Sequence, residues 1–357
     1  MKTSTIVRLG ALALVVVLCI TTFMLVNHQA SANGFAPAVS PAKSVVALPN
    51  YDVSIFAQGN KAYYNPDSVD VAGKYIFIGY QNTTAKDGTD HKTSTIVQYT
   101  RQGKVVHTFS VPGHCDGMRY NSTTHLLWTT SNEDGNPNIT TINPDTGKVT
   151  LYQVPAAPHG GGYDDVLFIK GQAFIAASNP TLNSAGVNVF PAIDKVELKN
   201  GKAIFTPVLY GNATATDVTA NQSVTLNLTD PDSMTLDNQG NLILDDQADA
   251  QIITVRNPGT AQQSVTRLPV GTQVDDSIWI PAKEGKLLVV DGKANTIYSV
   301  TIDKTDFAKG TIFTEAPSDS GVAGFVGKID PKTGTISPVI IGLNSPTGLM
   351  FLPSEGE

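Results

Sequence analysis

Five aspartates each open a short phrase in which an apolar residue follows two positions later, at Asp67, Asp116, Asp164, Asp232 and Asp276. A sixth copy without the acid begins at Thr347. If the fold gathers these carboxylates in one narrow channel, their repulsion raises some of their pKa values until protons or cations compensate. A bound divalent ion in contact with two or three of them would provide that compensation.

The same aspartates have an architectural interpretation. Short polar side chains accept hydrogen bonds from the backbone N–H groups of their own turn, and such positions favour Asp. A device that recurs in every repeat is more typical of architecture than of a binding site. The sequence leaves both interpretations open.

Two histidines precede two of these phrases. His114 lies two residues before Asp116, and His159 lies five residues before Asp164. Because histidine titrates near neutrality, either ring is a candidate general base for water that attacks an ester or lactone. The alternative is that both are ordinary loop residues, and that Gly160–Gly162 simply needs positive φ angles.

The spacing of the phrases predicts the fold. The intervals are 49, 48, 68, 44 and 71 residues, and a four-stranded propeller blade takes roughly 40–50 residues. Three intervals therefore fit single blades, and the two long ones predict insertions near residues 179–230 and 303–343. The expected fold is all-β, a six-bladed β-propeller in which each phrase opens the strand nearest the axis.

Short apolar runs follow each phrase and are separated by turn residues. After Asp232 come 234–236 and 242–244, and after Asp276 come 278–280 and 287–290, which we expect to be adjacent strands of one blade. The segment Tyr51–Ala57 precedes the first copy where an outer strand would sit. Pairing of the N- and C-terminal strands would then close the ring and leave few free sheet edges.

At this point the chain resembles a known family. The phrase 231–234, the segment 274–278 and the ending 342–351 are similar to NHL-type six-bladed propellers, and to the gluconolactonase (senescence marker protein) and paraoxonase branch. The resemblance covers about residues 50–353. It implies a calcium-dependent hydrolase of small esters or lactones, with the metal position mapped onto Asp67, Asp116, Asp164, Asp232, Asp276 and Thr347. Those relatives use a mixture of Glu, Asn and Asp, whereas this chain offers almost only Asp.

A competing hypothesis is a non-catalytic extracytoplasmic binding module. Loops such as Asn132–Asp134 would make one face of the disc acidic and rich in Asn, able to hold a small molecule, a carbohydrate, a peptide or a partner protein. A lyase similar to the streptogramin lyases is a third possibility. The chain has a formal net charge of −7 and no basic run, which argues against nucleic acid as a partner.

The N-terminus predicts export. Residues 1–32 combine Lys2 and Arg8 with the apolar run 9–26 and the small residues 30–32, as in a signal peptide. An uncleaved membrane anchor is the alternative. Residues 33–50 are expected to form a flexible tether, and residues 51–357 a single, monomeric domain. That domain contains one cysteine, Cys115, so it has no internal disulfide.

Overall fold

The computed structural model describes residues 45–302, 307–318, 321 and 323–355. The predicted leader and the tether up to residue 44 lie outside these ranges. The regular elements of the described residues are all β-strands. No helix able to cross a membrane occurs among them.

The strands are short and follow one another closely along the chain. The first ten are β1 (Val46–Ala47), β2 (Tyr51–Gln58), β3 (Pro66–Ala72), β4 (Tyr75–Tyr80), β5 (Thr93–Thr100), β6 (Val105–Pro112), β7 (Cys115–Asn121), β8 (Leu126–Ser131), β9 (Asn138–Ile142) and β10 (Val149–Gln153). The next ten are β11 (Val166–Ile169), β12 (Gln172–Ala176), β13 (Pro191–Lys199), β14 (Lys202–Tyr210), β15 (Thr214–Asp217), β16 (Gln222–Thr225), β17 (Pro231–Leu236), β18 (Leu242–Asp246), β19 (Gln251–Arg256) and β20 (Ser264–Pro269). The last are β21 (Ser277–Trp279), β22 (Gly285–Asp291), β23 (Thr296–Ile302), β24 (Ile312–Ala316), β25 (Gly324–Ile329), β26 (Ile336–Leu343) and β27 (Pro346–Pro353).

Antiparallel pairing groups most of these strands into units of four. Strands that are consecutive in the chain form β3-β4-β5-β6, β7-β8-β9-β10, β11-β12-β13-β14 and β17-β18-β19-β20. The other strands form β21-β24-β25-β26, which carries β1 on its outer edge, and β27-β22-β23-β2. The innermost strands β3, β7, β11, β17, β21 and β27 contact one another in that order, and β27 also contacts β3. The arrangement is all-β and propeller-like.

Apolar side chains fill the spaces between neighbouring units. Because successive residues of a strand point to opposite faces, Ile76 and Ile78 of β4 pack in a cluster with residues of β22 and β27, whereas Phe77 packs with residues of β7 and β8. All three side chains are at most 1% exposed. Strand β4 is thus buried on both faces, which is why it reads as a continuous apolar run.

The strand order after Asp276 differs from the sequence prediction. The runs 278–280 and 287–290 are not neighbours, because β21 pairs with β24 and β22 pairs with β27 and β23. The antiparallel pairing with β22 satisfies the backbone hydrogen bonds of β27. Strands β2 and β27 do share a sheet, but they lie on its opposite edges and do not pair with each other.

The segments expected to be insertions also contain regular strands. Residues 191–210 form β13 and β14 of the third unit, and residues 312–343 supply β24, β25 and β26. The extra hairpin β15–β16 joins the edge of β20 through a parallel pairing. At the end of the expected tether, Val46 and Ala47 pair with β26.

Removal of residues 346–357 tests the pairing of β27 with β22. Without β27, the buried Leu288 and Val290 of β22 would face water and the inner edge of β22 would lose its hydrogen bonds. We expect this truncated protein to lose cooperative thermal unfolding, measured by circular dichroism. Removal of residues 354–357 alone, which leaves β27 intact, is the control and should leave the melting temperature unchanged. Equal melting temperatures for both truncations would contradict the topology.

Candidate functional site

One cavity of about 430 Å³ opens where the innermost strands begin. Its wall is unusually acidic, and the carboxyl side chains that line it are Asp67, Asp116, Glu133, Asp134, Asp164, Asp165, Asp230, Asp232, Asp275 and Asp276. The cationic side chains of Lys86, Arg119 and Lys293 lie on the same wall. The five aspartates of the repeated phrase thus meet at one cavity, together with Asp275.

The strand register explains why the phrase recurs. The pairing of β3 with β4 shifts between Pro66 and Val69, around Asp67, and the pairing of β7 with β8 shifts between Cys115 and Met118, around Asp116. A third shift surrounds Asp232 in β17. Such irregularities re-aim a side chain at the end of a strand. The acid stands at the irregularity, and the apolar residue that follows resumes the core.

Burial and mutual repulsion keep these carboxyls from ionising together. Burial raises the pKa of Asp67 well above its usual value, and the charge of Asp275 raises it further. Burial likewise raises the pKa values of Asp164 and Asp232. The charge of Asp164 raises the pKa of Asp232 further. Ionisation of one of these acids therefore disfavours ionisation of its neighbours.

A second layer of aspartates binds the neighbouring innermost strand. Asp70 accepts a hydrogen bond from the backbone N–H of Tyr120 at 2.6 Å, and Asp165 accepts one from Met234 at 3.0 Å. Asp276 accepts one from the N–H of Leu349 at 2.8 Å. Asp276, which the sequence analysis placed among the metal ligands, thus accepts a backbone hydrogen bond from the neighbouring innermost strand and not from its own turn.

Arg119 is the cation of this second layer. Its guanidinium lies 3.0 Å from the carboxylate of Asp165 and 3.6 Å from that of Asp70, and it also donates to the carbonyl of Met234 at 3.0 Å. Burial raises the pKa of Asp70 to about 6, and the charge of Arg119 opposes that rise. Arg119 therefore offsets the acids that hold the innermost strands together.

His114 lies behind Asp116, in the connection between β6 and β7. Its Nε2 is 3.4 Å from Asp116 Oδ1, and the side chain of Gln81 donates to the same oxygen at 3.1 Å. Burial lowers the pKa of His114. The ring is not among the residues described as lining the cavity.

His159 is not brought to the cavity. It is 1% exposed, its Nε2 donates to the carbonyl of Gly162 at 2.7 Å, and its ring packs edge-on against Tyr163. Burial lowers its pKa. Its contacts tie the loop 159–163 together, and none of its described hydrogen bonds involves a residue of the acidic wall.

Sequence reasoning missed Asp275, Lys86 and Arg119 as residues of the site. Asp275 could have been found, because Asp164–Asp165 and Asp275–Asp276 are the two doubled acids among the repeats. Aligning these pairs places Asp275 with Asp164, and Asp276 with Asp165. No repeat position carries Lys86, which reaches the site from the loop after β4 and pairs with Glu133.

The sequence matches no family model, and no curated protein sequence matches it either. Several solved structures are similar to the chain. A putative 6-phosphogluconolactonase from Bacteroides uniformis is 13% identical with a TM-score of 0.47, and the match covers 83% of this chain and 90% of that one. The periplasmic gluconolactonase of Pseudomonas aeruginosa is 11% identical with a TM-score of 0.44, covering 80% and 88%. The virginiamycin B lyase of Staphylococcus aureus is 12% identical with a TM-score of 0.40, covering 71% and 99%. At these identities and TM-scores the similar structures assign no activity to this chain.

Substitution of Arg119 tests its role in the second layer. Arg119→Gln leaves Asp70 and Asp165 buried without their cation, and we expect a loss of about 3–5 kcal/mol in the free energy of unfolding. Lys92→Gln, which breaks an exposed pair with Asp90, is the control and should cost at most about 1 kcal/mol. Denaturant titration measures both. Similar small losses for the two variants would show that Arg119 does not stabilise this layer.

Proposed function

We propose that the acidic cavity is the active site of a calcium-dependent hydrolase of small esters or lactones. The observation that carries the proposal is the convergence of Asp67, Asp164, Asp232 and Asp275 on one cavity of about 430 Å³, a volume that suits a small ligand. We further propose that the four-stranded units are the six blades of one closed propeller, exported by the predicted leader, with β2 and β27 completing the last blade.

The donors in the cavity fit calcium. Calcium takes six to eight oxygen ligands from carboxylates, amide and backbone carbonyls, and water. Asp67 and Asp275 lie close enough for Asp275 to be the strongest neighbouring charge on Asp67, and the amide of Asn65 lines the same cavity. We assign Asp67 and Asp275 as the carboxylate ligands. A bound calcium ion would polarise the carbonyl of an ester and stabilise negative charge on its oxygen.

In this proposal Asp164 and Asp232 carry out the proton transfers. Asp164 and Asp232 line the same cavity, and we propose that they share one proton, which would provide one acid and one base in the same place. The base takes a proton from the attacking water, and the acid gives a proton to the leaving oxygen. The histidines do not line the cavity, so this assignment replaces the predicted roles of His114 and His159 as general bases.

Amide and cationic side chains would orient the substrate. Gln81 and Gln247 line the cavity and already donate to carboxylates, Gln81 to Asp116 and Gln247 to Asp232. Hydroxyl groups of a sugar-like lactone match such a wall of amides and carboxylates. The ammonium of Lys86 lies on the same wall and favours an anionic product in the cavity.

Calcium binding should raise thermal stability. An ion that binds only the folded chain adds about 2.7 kcal/mol at a concentration one hundred times its dissociation constant. We expect a calcium-dependent rise in melting temperature that chelator reverses, measured by scanning calorimetry. The double variant Asp67→Asn/Asp275→Asn should lose the rise, and Asp145→Asn, an exposed acid, should keep it. A rise that persists in the double variant would reject these ligands.

Hydrolysis should depend on the proton-sharing pair. With a panel of small lactones and chromogenic esters, Asp164→Asn and Asp232→Asn should each lower kcat by about 10²–10⁴-fold, the usual contribution of general acid–base catalysis. Asp194→Asn, a buried acid of β13, is the matched control and should keep kcat. If the parent protein hydrolyses none of the panel, or if both variants keep kcat, the hydrolase proposal fails and the binding module becomes the better hypothesis.

A further inference from the structure

We propose that His114, Asp116 and Glu133 form a binding site for a divalent transition metal of the zinc class, distinct from the calcium site. One ligand atom from each residue lies within 4.8 Å of the other two. Nitrogen and oxygen ligands of one such ion stand about 3–4 Å apart, so small side-chain movements close the site. This site would exist whether or not the cavity hydrolyses esters.

The hydrogen bonds of His114 fix its tautomer. The hydroxyl of Thr84 donates its only proton to the carbonyl of Gln81 at 2.6 Å. The Nδ1 of His114 lies 2.8 Å from that hydroxyl oxygen and 2.9 Å from the carbonyl of Thr84, both of which can then only accept. Nδ1 therefore carries the proton, and in the neutral ring Nε2 keeps its lone pair. Backbone carbonyls commonly orient metal-binding histidines in this way.

Two buried ligand atoms in this cluster have no hydrogen-bond partner in the described part of the chain. They are His114 Nε2 and Asp116 Oδ2, and both residues are 6% exposed. Leaving such buried polar groups unpaired destabilises the folded protein. A metal ion satisfies both at once, because a lone pair on nitrogen and a carboxylate oxygen are each ligands and neither can donate to the other.

The third ligand is held in place by its main chain. The carbonyl of Glu133 accepts from the N–H of Gly162 at 2.7 Å and from the hydroxyl of Ser178 at 2.9 Å. On the other side, the backbone N–H of His114 donates to the side chain of Asn132 at 2.8 Å. Three loops thus hold His114 and Glu133 at a set separation before any ion binds.

The ammonium of Lys86 is the cation that now pairs with Glu133, and a bound metal ion would replace it. Its ammonium pairs with the carboxylate of Glu133, and its side chain is 60% exposed. It can therefore swing into solvent when a metal takes Glu133. The imidazole ligand favours zinc-class ions over calcium, which prefers oxygen alone.

The test is calorimetric titration of the purified full chain with cobalt(II) chloride in buffer that contains excess calcium. Cobalt(II) stands in for zinc, and its visible absorption reports the coordination geometry of the bound ion. We expect one equivalent per chain, binding about 100-fold or more weaker in Glu133→Gln, and no binding in His114→Gln. His107→Gln, an exposed histidine of β6, should bind as the parent does.

Lys86→Gln gives a test of opposite sign. Because it removes the competing ammonium, it should bind cobalt several-fold more tightly, and loss of folding cannot mimic that result. The proposal is overturned if the parent binds no cobalt in excess calcium, or if Glu133→Gln and the parent bind it equally. It is also overturned if Asp67→Asn/Asp275→Asn abolishes cobalt binding while Glu133→Gln does not, since that pattern places the ion in the calcium site.

Discussion

The burial of many carboxyl groups around one cavity is the constraint to which the rest of the structure responds. An isolated carboxylate in a protein interior is strongly disfavoured, so each one needs a proton, a cation or several N–H donors. The innermost strands converge there, and each repeat delivers an acid. Asp67, Asp164 and Asp232 all have pKa values raised by burial. Different buried carboxyls are stabilised in different ways, some by a cation and others by N–H donors.

The acids around the cavity form two sets, one that bonds neighbouring strands and one that is available for chemistry. In the deeper layer Asp70, Asp165 and Asp276 each accept a backbone N–H from the neighbouring innermost strand, and Arg119 supplies positive charge. These hydrogen bonds join adjacent sheets where no β-ladder does. The acids nearer the mouth have fewer backbone donors. They are the ones left able to bind a cation or exchange a proton.

The acids near the mouth fall into groups with different partners. Asp164 and Asp232 are acids whose charges disfavour each other's ionisation, whereas Asp116 lies 3.4 Å from the ring of His114. Our proposals assign proton transfer to the first group and a transition metal to the second, with calcium beside Asp67 and Asp275. The division follows from what each carboxyl touches: another carboxyl, an imidazole, or a wall of oxygen donors. Residue type alone does not distinguish them.

The repeat of acid, spacer and apolar residue was enough to predict an all-β, propeller-like chain and the convergence of five aspartates, because strand periodicity and spacing are local properties. It could not predict that β22 pairs with β27, since a hairpin from β21 to β22 is equally compatible with the local pattern. Nor could it separate Asp275 from Asp276, because a one-residue shift reverses which side chain faces the next strand. Lys86 and Glu133 lie in loops, and Arg119 of β7 has no basic counterpart at the same position of the other repeats. Their positions depend on loops and strands from different units meeting in space, which only tertiary packing decides.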